Sequence, residues 1–126
     1  MVFAQMMRRD WNVIRTILQT IDRELHARCE DCGTDYWTFE TQLELMRQGG
    51  LIRSTNEEHR RRHGFIQPCN LTWLGEEFLA ECSDAEIWDA VQDAIRTKGV
   101  TPSFGVLRRL LQKQMLEKCL EGSDGI

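Results

Sequence analysis

Gly49-Gly50-Leu51-Ile52-Arg53-Ser54, then Arg60-Arg61-Arg62, then Phe65-Ile66 and Leu71-Thr72-Trp73-Leu74-Gly75-Glu76-Glu77-Phe78-Leu79 form the stretch that decides the fold. Paired glycines close a helix, because glycine takes up the left-handed conformation at no steric cost. Leu51-Ile52-Arg53 reads as a short strand. Ser54 to Gly64 is polar and charged and reads as a loop. Phe65-Ile66 resumes an apolar strand that Leu71-Thr72 continues, with Pro68 placing an edge strand or a bulge there. Two short strands joined by a long basic loop make a hairpin, and Thr72 caps a helix over 73–82.

Working outward, Asp10 can cap a helix over 10–25. Trp11, Ile14, Ile17, Leu18, Ile21 and Leu25 recur there every three or four residues and form one apolar stripe. Residues 26–36 show no period. A helix starting near Thr38 and running to Gln48 turns Phe39, Leu43 and Met46 inward. Its outward residues are Thr41, Gln42, Glu44, Arg47 and Gln48. Ser83 and Glu86 match a capping box for a helix over 84–98. Thr101-Pro102 starts a fifth helix that runs to about Glu121. The four tryptophans read as core or nearly so, with Trp37 beside Tyr36 the one most open to solvent.

The order helix, turn region, helix, Gly-Gly, strand, basic loop, strand is that of a winged helix. The expected fold is therefore mainly α with a small β-hairpin: a winged helix-turn-helix with additional C-terminal helices. The expected organisation is an N-terminal extension over 1–6, a winged-helix core over 7–82, a helical pair over 83–121 packed on it, and a frayed tail over 122–126.

Met7-Arg8-Arg9-Asp10-Trp11, Leu71-Thr72-Trp73-Leu74-Gly75-Glu76-Glu77-Phe78-Leu79, Ile87-Trp88 and Thr101-Pro102-Ser103-Phe104-Gly105-Val106-Leu107 together resemble a family of short bacterial, phage and prophage proteins known as a domain of unknown function. The likeness covers most of residues 7–121. It implies a winged-helix-like domain and a mobile-element setting, and no catalytic residues. Members of that family typically begin at a Met-Lys/Arg-Arg-Asp motif, so the resemblance implies that Met1–Met6 are an added lead.

The chain is 126 residues long, one ordinary domain, with a hydrophobic fraction of 41% that can build a core. No apolar run approaches the ~20 residues that span a bilayer, and the apolar start is too short for a signal peptide, so a cytoplasmic protein without membrane partners is expected. The net charge of −4 does not favour nucleic acid in bulk, yet Arg53, Arg60, Arg61 and Arg62 cluster with His59 and His63 against Glu57 and Glu58. Such a wing can lie along phosphates, because the flat guanidinium fork holds two oxygens at once.

The residues expected to bind nucleic acid are accordingly Arg53, Arg60, Arg61 and Arg62 on the wing, with Gln42 and Arg47 reading bases. Double-stranded DNA is the leading partner, which makes the protein a DNA-binding regulator of phage or prophage origin. The alternative partner is a host nucleic-acid-handling protein, which the chain would inhibit. Net acidity, Glu40, Glu44 and the short turn region support that alternative, since acidic faces can mimic nucleic acid. Phe104, Leu107, Leu111 and Met115 share one face of the fifth helix, widened by Val106, Leu110, Leu116 and Leu120, and form a candidate homodimer seam.

Five cysteines without a secretion signal point to reduced thiols or metal rather than disulfides. His26, Cys29 and Cys32 have spacings compatible with zinc, with His63 or Cys69 as a fourth ligand. A single C-x-x-C carries little weight, and no metal or other cofactor is expected. No Gly-rich phosphate loop, nucleophile elbow, H-E-x-x-H or triad is present, so the expectation is a binding protein and not an enzyme.

Overall fold

The structure is a computed structural model that describes residues 8–54 and 66–124. The fold is mainly helical with a small antiparallel sheet. Residue contacts divide the chain into two compact units, residues 1–77 and 78–126. Among the described residues no helix is long and apolar enough to cross a membrane.

In the first unit, α1 (Trp11–Glu24) begins where the Asp10 carboxylate accepts the Val13 N–H, as the sequence predicts. It buries Trp11, Ile14, Ile17, Leu18 and Ile21 along its apolar stripe. The helix ends abruptly. Leu25 takes a left-handed conformation (φ 59°) that costs a residue with a Cβ roughly 1–2 kcal/mol, and the chain enters β1 (His26–Arg28) with no linker. A single 3-10 turn over Cys29–Cys32 follows. Next comes α2 (Tyr36–Gln48), which is capped by Asp35 and so starts two residues before the expected Thr38. Gly50, at φ 79°, reverses the chain after α2, and β2 (Ile52–Ser54) leads to the undescribed residues 55–65. The expected polar loop and its wing tip lie outside the described residues.

The sheet departs from the expected hairpin. β3 (Ile66–Leu71) is its central strand and the order is β1-β3-β2, so the strand over His26–Arg28 adds a third member. Ala27 pairs with Gln67 on one flank, and Arg53 pairs with Asn70 on the other. Pro68 is thus neither on an edge strand nor reduced to a bulge. The neighbouring Cys69 N–H donates to Leu25 O on the β1 side. Successive backbone amides point to opposite sides of a strand, so the Pro68 nitrogen faces the β2 side. There the described pairing stops one residue short, at Ser54 opposite Cys69. Proline therefore removes no ladder bond from the described sheet. One sheet face is core, with Ala27, Ile52 and Cys69 buried, while Arg53 and Asn70 are exposed on the other.

α3 (Trp73–Cys82) is fixed at its start by Thr72, as expected. The Thr72 N–H donates to Leu51 O (3.0 Å), its hydroxyl donates to Gly50 O, and the same hydroxyl accepts the Gly75 N–H at 3.0 Å. Gly75 lies directly against β2: a Cβ built there would stand 2.1 Å from Leu51 O. Trp73, expected in the core, is instead 79% exposed, because its position on the first turn of α3 points it away from this contact.

In the second unit, the last turn of α3 carries Phe78, whose ring meets Phe104 edge-on at 4.9 Å between centroids. α4 (Ala85–Lys98) is capped by Asp84, which accepts the Ile87 N–H. This corrects the expected Ser83–Glu86 capping box, since the Ser83 hydroxyl instead donates to Leu79 O. α5 (Phe104–Asp124) starts after Ser103, whose side chain accepts the Val106 N–H, rather than at Thr101-Pro102. It continues through Asp124, past the expected start of the frayed tail.

Glu81 accepts two hydrogen bonds from Arg108 (2.7 and 2.8 Å) and one from Gln112 (2.7 Å). Burial alone would raise the Glu81 pKa, but these bonds outweigh it and hold the carboxyl below its ordinary range. Of the expected dimer seam, Leu107 and Leu111 are fully buried within the single chain and Phe104 packs against Phe78, while Val106, Leu116 and Leu120 are exposed. Met115 is half-buried.

Gly75→Ala should cost about 1–3 kcal/mol or more, because the new methyl meets backbone that has no rotamer to escape into. Gly105→Ala, where a Cβ meets nothing within 4 Å, should cost nothing. Urea midpoints of the two variants compare them directly, and equal midpoints would contradict the Gly75–Leu51 contact.

Candidate functional site

Two of the residues that the sequence reading assigns to nucleic-acid binding, Gln42 and Arg47, lie on α2. Its start is set by Asp35, which accepts the Thr38 N–H and the Thr38 hydroxyl, both at 2.8 Å. Those bonds hold the Asp35 carboxyl below the ordinary carboxylate range, so it is ionised at neutral pH. Phe39, Gln42, Leu43 and Met46 are buried. Tyr36 and Trp37 are 43% and 54% exposed, and Arg47 and Gln48 are exposed at the other end.

Gln42 does not point outward as the sequence reading expects. It is 2% exposed and holds the residues ahead of α1. Its Oε1 accepts the Asp10 N–H at 2.7 Å, and its Nε2 donates to Arg8 O at 2.8 Å. Both ends of the amide are used inside the protein, leaving nothing to read a base edge. The signal was present in the sequence: Phe39, Gln42, Leu43 and Met46 are spaced i, i+3, i+4 and i+7, which is an inward stripe. A polar side chain in that stripe has to find internal partners.

Arg47 is exposed but engaged. Its Nε donates to Glu44 Oε2 at 2.9 Å, its Nη2 also bonds Glu44 Oε1, and Gln48 Nε2 donates to that same oxygen at 3.2 Å. One carboxylate thus gathers both polar groups at the C-terminal end of the helix. Arg53 is exposed on the outer sheet face opposite Asn70. Arg60, Arg61 and Arg62 lie outside the described residues, as do His59 and His63.

The 3-10 turn packs its thiols on backbone. Cys29 Sγ donates to Thr34 O (3.4 Å) and Cys32 Sγ to Arg28 O (3.3 Å). Burial pushes the Cys32 thiol up to about 11, against a lowering hydrogen bond from Thr20. The Cys29 thiol is raised first by burial and then by Asp35, Glu30 and Glu40. His26 Nε2 instead lies 3.3 Å from Glu24. Among the described residues no three His, Cys, Asp or Glu side chains converge as metal ligands would. An open cleft of about 470 Å³ lies beside this turn, lined by Cys29, Glu30, Gly33, Thr34 and Asp35. The sequence reading missed this cleft and the exposure of Trp73.

Gln42→Leu should cost on the order of 1 kcal/mol, because it removes two part-buried hydrogen bonds that hold Asp10 and Arg8 to α2. It should also speed hydrogen exchange at the Asp10 amide. Unchanged exchange there would contradict the internal role of Gln42.

The model of a family described as "Hypothetical protein (DUF2513)" matches residues 8–101. A protein of Haemophilus influenzae described as "Uncharacterized protein" is 25% identical over 111 residues, covering 84% of this chain and 93% of that one. No solved structure matches.

Proposed function

The chain belongs to the DUF2513 family, and on that premise we propose that it is a winged-helix binding domain whose α2 face docks on a protein rather than reading DNA bases. The winged-helix reading is supported by connectivity. Helix, strand, short turn, helix, strand, strand, with sheet order β1-β3-β2, matches the arrangement in which the strand between the first two helices joins the wing strands. In this reading the 3-10 turn Cys29–Cys32 stands where a middle helix would be.

The observation that carries protein docking is the Glu44 carboxylate holding Arg47 and Gln48. A surface pair of this kind is worth only about 0–1 kcal/mol and could be opened by a competing phosphate. Opening it, however, would remove the cation that offsets Glu44 on a helix that also carries Glu40, and like charge repels a duplex. With Gln42 turned inward, the long polar side chains left outside on α2, Arg47 and Gln48, can turn to a base only by leaving Glu44. The partner class that fits is a nucleic-acid-handling protein of the host, which an acidic face can engage in place of its natural ligand.

A second reading keeps one specific support. Every cation up to Glu77 is arginine, and exposed Arg53 begins the segment that carries Arg60, Arg61 and Arg62. Those residues suit sequence-independent phosphate contact.

Titration with mixed-sequence duplexes at about 50 and 200 mM salt separates the two readings. Protein docking predicts negligible duplex binding at either concentration. Tight binding at the lower salt would overturn it, provided that its log K against log salt slope flattens by about 0.9 for each of Arg60, Arg61 and Arg62 replaced by alanine.

A further inference from the structure

Two tryptophans among the described residues stand largely in solvent, and each sits on the first turn of a helix: Trp37 on α2 and Trp73 on α3. Each is followed three residues later by a glutamate on the same side of its helix, Glu40 and Glu76. The face of an indole ring is electron-rich, so a ring flanked by carboxylates attracts cations from both kinds of group. Exposed tryptophans are also the residues most often found at the energetic centre of protein interfaces.

The residue two positions before Trp37 lines a concave surface. Asp35, which lines the 470 Å³ cleft, directly precedes Tyr36 and Trp37, and Glu30 lines the same cleft. None of the cleft's lining residues is cationic. The Asp35 carboxylate is fixed in place by its two bonds to Thr38, and Glu30 is exposed. The negative field extends into the cleft, where Asp35, Glu30 and Glu40 all act on the Cys29 thiol. The cleft is open on one side, which suits a long side chain reaching in better than an enclosed small molecule.

We propose that this corner, Trp37 and Tyr36 beside the cleft of Glu30 and Asp35, is the docking point for an arginine side chain on a basic segment of the partner protein. Arginine fits better than lysine. Its planar guanidinium can lie on the indole face while its fork meets a carboxylate, whereas an ammonium is a point charge that holds its water more strongly. The proposal rests on the protein-docking reading of α2 and gives that reading a chemistry. An arginine-rich segment is what a nucleic-acid-handling protein presents to its own ligand.

The test is fluorescence anisotropy with a labelled peptide of alternating arginine and glycine, compared with its lysine and citrulline counterparts. The arginine peptide should bind most tightly and the citrulline peptide not at all. Trp37→Ala and Glu30→Gln should each weaken arginine-peptide binding by roughly fivefold or more. Melting temperatures of both variants are read alongside, so that a loss of binding with the fold intact is assigned to this corner. Trp73→Ala, which lies outside this corner, should change binding little. If Trp37→Ala and Glu30→Gln bind like wild type, or if Trp73→Ala is as damaging as Trp37→Ala, the assignment is overturned and the attraction is diffuse. Failure of the docking reading shows separately, in the duplex titration. A chain that ignores both duplex and arginine peptide loses this assignment but keeps the docking reading.

Discussion

The first unit depends on β3 being hydrogen-bonded along both of its edges. On one edge the Cys69 N–H reaches Leu25 O, directly after α1, and on the other the Thr72 N–H reaches Leu51 O, directly after the turn that ends α2. One strand thus fixes where two helices stop. Because α1 runs into β1 without a linker, Leu25 has to adopt a left-handed conformation, and the ladder bond accepted by its carbonyl helps offset that strain. The Gly75 approach to Leu51 extends the same arrangement into α3. The residues exposed around this frame, Arg53, Asn70 and Trp73, sit on strands and a helix rather than on loops.

The local signals in the sequence were the legible ones. Asp10 and Thr72 cap the helices they were expected to cap, and Gly49-Gly50 ends α2, because each acts within four residues of itself. At Asp84 and Ser103 a neighbouring oxygen was equally able to cap, and spacing alone could not choose between them. β1 was illegible for a different reason. Three residues are too few to show alternation, and His26–Arg28 is a strand only because β3, some forty positions later, pairs with it. Pro68 misled because a strand that lacks one donor was taken for an edge, whereas only its β2 side is without a donor.

The candidate site was less legible than the fold. Gln42 was assigned by residue type, as a base reader, when its place in the 39-42-43-46 stripe marked it as internal. Leu107 and Leu111 were assigned by apolarity to a seam, although a helix of a small unit also needs a buried face. The cleft at Glu30 and Asp35 depends on the Cys29–Cys32 turn, and aperiodic sequence gives no sign of such concavity. What emerges on α2 is an acidic and aromatic face, of which Glu40 and Glu44 were already legible and from which the expected base reader Gln42 is missing. Its charge comes from Asp35, Glu40 and Glu44, and its apolar area from Tyr36 and Trp37.

The winged-helix reading, and the docking surface built on it, stand on the three-stranded order of the sheet. Nuclear Overhauser contacts between α-protons test that order most directly. Antiparallel residues that do not exchange hydrogen bonds bring their α-carbons to about 4.5 Å, against about 5.5 Å for those that do. The bond from Cys69 to Leu25 O makes His26–Pro68 and Ser54–Cys69 close pairs on opposite edges of β3. The account predicts strong α-proton contacts for both pairs in the same sample. A contact for Ser54–Cys69 without one for His26–Pro68 would reduce the sheet to a hairpin and contradict the account.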